Sequence, residues 1–154
     1  MGDPTSDFLA LTLDFTGCPW LKFAAGEAEA RVEEDTGRGR SNPRIDQYLA
    51  TVGLSDDATP WCSAFVNWCM RQAGIAGTGR GLARSWLHWG VPIADCRLGA
   101  VAVFRRGSNP AFGHVAFYVG DQSRKLLVLG GNQGNAVNVK PYDRDRLLGL
   151  RWPA

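Results

Sequence analysis

The sequence contains no apolar run that approaches the roughly 18 residues of a membrane-spanning helix. Residues 101–104 are followed by Arg105, and residues 115–119 by Gly120, so we expect no membrane insertion. The first 15 residues carry acidic side chains rather than a basic segment, and they lead to no small-residue cleavage site. We therefore expect no secretory signal peptide.

Metal-binding and nucleic-acid-binding patterns are also missing. The cysteines Cys18, Cys62, Cys69 and Cys96 form no C-x-x-C pair, and there are only 2 histidines, so we expect no metal site and no cofactor. The 17 Lys and Arg residues are scattered rather than interleaved with aromatic residues, which argues against nucleic-acid binding. Residues 1–60 are acidic overall and residues 61–154 are basic, which leaves an anionic polymer open as a substrate.

The composition is that of one globular domain: 154 residues, 45% hydrophobic and 21% charged. Helical spacing and capping residues predict helices over 16–37, 41–53 and 59–74, with a short helix near Trp86. After Gly99 the period changes, and short β-branched or aromatic runs separated by turn residues predict an antiparallel sheet over 100–104, 114–120, 125–131, 136–142 and 147–152. The order of helices first and strands afterwards predicts an α+β fold with the third helix packed on the sheet.

Cys62 is the first candidate for a chemical role. Thr59 as N-cap and Pro60 at the first position predict a helix that begins just before it. Unpaired N–H groups and the positive end of the helix dipole favour a thiolate there, so we expect a lowered pKa and a nucleophile's position. The alternative is a small buried hydrophobe, which is the expected role of Cys69 deeper on the same stripe.

His114 and a polar pair after the next strand complete a candidate catalytic set. His114 opens a predicted strand directly after Gly113 and could act as a general base, although a structural hydrogen bond is the ordinary role of a lone histidine. A base needs a partner that holds its ring and tautomer. The turn at the end of the following strand offers Asn132 as first choice and Gln133 as second, although Gly-Gly-Asn is also common turn chemistry.

Several segments carry a resemblance to a known family. PWCSAFVNWCMRQAG, ARSWLHWG, LGAVAVFRRG, FGHVAFYVG and VLGGNQGNAVNVKPY resemble the NlpC-type and CHAP-type cell-wall peptidases, and NPRIDQY matches the segment that precedes the nucleophile. The resemblance covers about residues 19–153. It implies a papain-like domain over 19–154 behind an N-terminal extension over 1–18, with the nucleophile helix packed on a four- to six-stranded antiparallel sheet.

The resemblance also implies an activity, which is hydrolysis of an amide bond in peptidoglycan by a cysteine peptidase or amidase. Cys62 matches the nucleophile, His114 the base and Asn132 the third polar residue. Trp61, Trp86 and Gln133 are the residues expected to contact substrate, with core packing as the other role for the tryptophans.

Two other functions stay open from the sequence: an acyltransferase on the same scaffold, and a non-catalytic wall-binding module. Without a recognisable signal peptide, we expect a protein made in the cytoplasm that reaches the wall after lysis or specialised secretion, as a phage lysin or an antibacterial effector. The expected partners are peptidoglycan and a cognate immunity or inhibitor protein.

Overall fold

The computed structural model describes residues 2–37 and 39–154. In this part of the chain the helices come first and the strands follow. The α-helices are α1 (Pro4–Leu9), α2 (Pro19–Glu29), α3 (Pro43–Ala50) and α4 (Cys62–Gln72), and a 3₁₀ helix spans Ala83–His88. The strands are β1 (Val91–Ile93), β2 (Val101–Arg105), β3 (Gly113–Gln122), β4 (Lys125–Gly130), β5 (Asn138–Asp143) and β6 (Leu147–Trp152), with a 3₁₀ turn over Arg144–Arg146.

The six strands form one antiparallel sheet in the order β1-β6-β2-β3-β4-β5. Strands β2, β3 and β4 follow one another as a meander, because each connection is short enough to return the chain beside the strand before it. Phe104 on β2 lies opposite His114 on β3. The predicted α+β class is therefore confirmed, with six strands in the sheet.

The sheet has apolar residues on both faces. One face packs against the helices in the main core, to which β3 contributes Val115 and Phe117. The other face carries a second apolar cluster that includes Phe104 and Ala116. Because side chains alternate along a strand, His114 lies on the same face as Ala116, at the end of the sheet where β3 begins.

The predicted helix boundaries need two corrections. The helix predicted over 16–37 ends at Glu29, since Arg31 has a left-handed φ of 56° that a helix does not tolerate. The helix of Cys62 begins at that residue and not near Thr59, whose hydroxyl donates to the Ser55 carbonyl instead of capping. By contrast, Asn42 caps α3 as expected, accepting a 2.8 Å hydrogen bond from the Arg44 N–H.

Residues before α2 pack onto the domain. Phe8 of α1 is buried in the main core. The Val139 N–H of β5 donates to the Thr5 hydroxyl at 3.0 Å. The segment predicted as an extension is thus held against the edge strand of the sheet, and the boundary at residue 18 stays a prediction.

Candidate active site

Cys62 is the first residue of α4, and its environment follows from that position. No side chain caps the helix at Trp61, and the backbone N–H groups of Cys62 and Ser63 in the first turn hydrogen-bond to the Cys62 thiol. Cys62 is 6% exposed and lines a cleft of about 690 Å³. A small nucleophile at a helix start beside an open cleft can meet a substrate carbonyl.

The thiol of Cys62 lies beside the chain that carries His114. Gly113 lines the same cleft as Cys62. Burial raises the pKa of the Cys62 thiol, and the backbone N–H of Val115 opposes this effect. Of the two residues that flank His114, Val115 therefore contacts the thiol through its backbone and Gly113 lines the same cleft. The raised pKa differs from the sequence expectation, because loss of hydration outweighs the helix terminus.

His114 is 4% exposed and hydrogen-bonds to Gln133, with 2.9 Å between His114 Nε2 and Gln133 Oε1. The Gln133 amide nitrogen donates to the carbonyls of Asn138 at 2.8 Å and Val128 at 3.3 Å. Those two acceptors orient the amide, so its oxygen faces the ring. An amide oxygen only accepts, which places the imidazole proton on Nε2 and leaves Nδ1 as the acceptor.

Burial also sets the charge of the imidazole. It lowers the pKa of His114 to about 4, the hydrogen bond that the ring donates to Gln133 opposes this shift, and the positive charges of Arg106 and Arg146 add to it. The ring is neutral near pH 7. The two shifts favour the uncharged forms, a thiol at Cys62 and a neutral imidazole at His114.

The residue that hydrogen-bonds to His114 is Gln133, the second choice of the sequence analysis, and not Asn132. Gln133 is 2% exposed, whereas Asn132 is half-buried with a left-handed φ of 59°. Within the described chain Asn132 makes no hydrogen bond to His114. Asn132 belongs to the turn, where asparagine tolerates this backbone conformation, and the turn places the next side chain on the imidazole.

Trp61 and Trp86 do not offer a surface to substrate, contrary to expectation. Both are fully buried. The Trp61 indole donates to Glu34 at 2.8 Å, and the Trp86 indole donates to Ser63 at 2.9 Å. Burial with a satisfied N–H is typical of large core anchors. Gln133 is likewise enclosed, with its amide used inside the protein.

Trp61 has a structural role that connects the two halves of the site. A Cβ at Gly131 would lie 2.6 Å from Trp61 Cζ3 and 2.8 Å from Phe65 Cβ, so only glycine lets this turn lie flat on the ring. Trp61 directly precedes Cys62, and Gly131 lies two residues before Gln133. The same ring thus buttresses the nucleophile helix and the orienting turn.

Tyr142 belongs to the site and was missed. Its ring stacks on His114 with centroids 4.8 Å apart and planes 1° apart, and Arg146 lies over the tyrosine ring at 5.7 Å. Burial raises the pKa of Tyr142, and the nearby Cys62 adds to the shift. The only sequence signal was an aromatic residue on a strand, which does not reveal a contact with a strand two positions away in the sheet.

Three further findings concern metal ligands, membrane spans and the cysteines. The described residues contain no group of three or more His, Cys, Asp or Glu side chains placed to hold a metal ion. None of the helices in 2–37 and 39–154 is long and apolar enough to cross a membrane. All four cysteines are free thiols.

A helix-borne cysteine beside a strand-borne histidine, on an α+β scaffold with an antiparallel sheet, defines the papain-like class. The CHAP domain family matches residues 54–132, a range that includes both Cys62 and His114. The chain belongs to the CHAP domain family. This membership supports the general class of peptidoglycan hydrolase.

Two solved structures are similar to this chain. The wild-type endolysin LysIME-EF1 is 18% identical with a TM-score of 0.50, over 71% of this chain and 63% of that one, so less than two thirds of the endolysin is matched. A protein similar to lipoprotein of the NLP/P60 family, from Staphylococcus aureus subsp. aureus Mu50, is 15% identical with a TM-score of 0.44, over 78% of this chain and 45% of that one. No curated protein matches.

Proposed function

We propose that this chain hydrolyses an amide bond of the cell-wall peptide, with Cys62 as nucleophile, His114 as general base and Gln133 as the residue that orients the base. The observation that carries the proposal is the 2.9 Å contact between His114 Nε2 and Gln133 Oε1. It assigns the imidazole proton to Nε2, so Nδ1 is the nitrogen able to take a proton. Asn132, the family-based first choice, is replaced in this role by its neighbour.

The first half of the reaction begins from the neutral pair. His114 Nδ1 takes the thiol proton as Cys62 Sγ attacks the substrate carbonyl and the C–S bond forms. The Cys62 backbone N–H, at the start of α4, donates to the developing oxyanion. The imidazolium then returns its proton to the leaving nitrogen, the C–N bond breaks, and an amine departs from an acyl-enzyme.

The second half repeats the same proton path with water. His114 Nδ1 takes a proton from water, whose oxygen attacks the thioester carbonyl. The C–S bond breaks, the proton passes to the Cys62 sulfur, and a carboxylic acid is released. Throughout both halves Nε2–H stays bonded to Gln133, so the ring does not change its orientation.

Purified peptidoglycan digested with the protein, followed by mass spectrometry of the soluble products, tests this function. We expect new amine and carboxylate ends, whose masses distinguish a peptidase from an amidase. Cys62→Ala and His114→Ala should release no product, while Cys96→Ala, a thiol outside the site, should match the wild type. Full activity in Cys62→Ala would refute the enzyme. Products with the acyl group on an added amine would indicate a transferase instead.

A further inference from the structure

The cleft beside Cys62 has an unusual surface. Its volume is about 690 Å³ and its lining is almost entirely apolar or small. Leu54, Leu82 and Phe112 line it and are 40%, 57% and 58% exposed. They are three of the six large hydrophobic side chains exposed to this degree in the described chain. Exposed apolar surface gathered at one place is typical of a binding site.

Among the described residues that line this cleft, one carries a charged side chain, Arg106. Arg106 follows the last residue of β2 and is exposed. Among the residues that the structure describes it forms no ion pair and no hydrogen bond. Burial raises the pKa of Cys62 and the positive charge of Arg106 opposes that effect, whereas burial lowers the pKa of His114 and the charge of Arg106 adds to that shift. A free guanidinium near the reacting groups is available to a ligand.

The other arginines close to the site are already engaged. Arg84 Nε donates to the Phe112 carbonyl at 2.7 Å. Arg146 donates from two nitrogens to the Arg105 carbonyl, each at 3.2 Å. The guanidinium groups of Arg84 and Arg146 hold loops in place. The guanidinium of Arg106, by contrast, donates no hydrogen bond within the described chain. A guanidinium presents a fork of N–H donors that matches a carboxylate.

We propose that this cleft binds a stretch of peptide with small apolar side chains and that Arg106 binds a free carboxylate on that stretch. The inference rests on the proposed function and adds to it the part of the substrate that is recognised. Stem peptides of peptidoglycan carry alanine methyl groups and free carboxylates on the same short chain, whereas the glycan strand is rich in hydroxyls. The apolar lining with a single cation complements the peptide.

Two synthetic stem peptides test the proposal, identical except that the free carboxylates of one are converted to carboxamides. We expect kcat/KM of the wild type to be at least about tenfold higher for the carboxylate peptide than for the carboxamide peptide. This ratio corresponds to about 1.4 kcal/mol. Arg106→Gln should lower kcat/KM on the carboxylate peptide to the level of the carboxamide peptide and leave the latter nearly unchanged. Arg106→Lys should keep part of the wild-type preference for the carboxylate peptide. For the wild type, about 1 M salt should reduce the ratio of the two kcat/KM values.

Arg105→Gln is the matched control, since Arg105 is the preceding arginine, is exposed, and does not line the cleft. It should keep the wild-type preference. Equal cleavage of both peptides by the wild type, or an equal loss in Arg105→Gln and Arg106→Gln, would overturn the subsite while leaving the hydrolase in place.

Binding to Cys62→Ala, measured by calorimetry, separates the subsite from the reaction. We expect tighter binding of the carboxylate peptide, and loss of that difference when Arg106→Gln is added. If this binding pattern is found but the wild type cleaves neither peptide, the subsite stands and the proposed hydrolysis fails. If neither peptide binds, the subsite is wrong.

Discussion

The imidazole of His114 and the amide of Gln133 form a buried hydrogen bond of 2.9 Å between Nε2 and Oε1. The amide is itself fixed by carbonyls of Val128 and Asn138. In the proposed mechanism, a side chain held from both ends positions the ring without taking part in bond making. The contact therefore separates the role of Gln133 from that of its neighbour Asn132.

Gln133→Ala should lower kcat/KM by about tenfold to a hundredfold, because the ring loses the partner that sets its tautomer and orientation. Asn132→Gly is the matched control, since glycine adopts the left-handed backbone found at Asn132 without strain. It should keep most of the activity. Hydrolysis of purified peptidoglycan, with circular dichroism as a check on folding, decides between them. A greater loss in Asn132→Gly would restore the family-based assignment.

Much of the fold could be predicted because its signals are local. Asn42 and Pro43 mark the start of α3, and the β-branched runs after Gly99 mark β2 to β6. The start of α4 was predicted too early because Thr59 and Pro60 form a common capping pattern, yet the Thr59 hydroxyl donates to the Ser55 carbonyl and the helix begins at Cys62. The three-residue strand β1 is too short to show a period.

The candidate site was predicted less completely because its parts meet through long-range packing. Cys62 and His114 each have a local signal, namely a helix start and a strand start. Whether Asn132 or Gln133 faces the ring depends on the close packing of Gly131 against Trp61. The stacking of Tyr142 on His114 joins β5 to β3, which are not neighbours in the sheet. No local pattern encodes either contact.

Tyr142 should act as a positioning residue that keeps water from one face of the imidazole. Tyr142→Ala exposes the imidazole of His114 to water. Because burial is the main cause of the low pKa of His114, that pKa should rise in the variant. The acid limb of the kcat/KM profile should then move to higher pH. Tyr142→Phe keeps the stacked ring and should keep the wild-type limb. An unchanged limb in Tyr142→Ala would show that the stacking is only structural.

The acid limb of wild-type activity should lie near pH 4. The reaction requires the neutral imidazole, and the pKa of His114 is lowered to about 4 by burial, so kcat/KM should hold down to about pH 5 and fall below it. Gln133→Glu would place a carboxylate beside the ring, raise the pKa of His114 and move the limb upward. Initial rates on a soluble stem peptide between pH 3 and 8 measure both. A wild-type limb near 6.5, the value of an unperturbed histidine, would contradict the buried neutral ring.

Alkylation reports the protonation of the thiol directly. Since burial raises the pKa of Cys62, its labelling by iodoacetamide should be slow at pH 6 and should increase toward alkaline pH, because the thiolate is the reactive form. Cys96, the one cysteine that is not buried, serves as the reference in peptide mapping. Rapid labelling of Cys62 at pH 6 that disappears in His114→Ala would instead demonstrate a preformed thiolate and imidazolium pair.

The buried imidazole should also make stability depend on pH. In the unfolded chain His114 takes up a proton near pH 6.5, whereas in the folded protein it does so at about 4. Between these values the unfolded state binds more protons, so the free energy of unfolding decreases as the pH falls through this window and levels off below it. This decrease in the free energy of unfolding amounts to about 2 kcal/mol between pH 7 and pH 4.5.

Urea denaturation of the wild type and of His114→Gln at both pH values measures this decrease. Carboxylates titrate alike in the two proteins, so their contributions cancel in the comparison. His114→Gln should lose about 2 kcal/mol less than the wild type on acidification, while His88→Gln, at the exposed second histidine, should follow the wild type. Equal losses in all three proteins would show that His114 is charged in the folded state at pH 4.5.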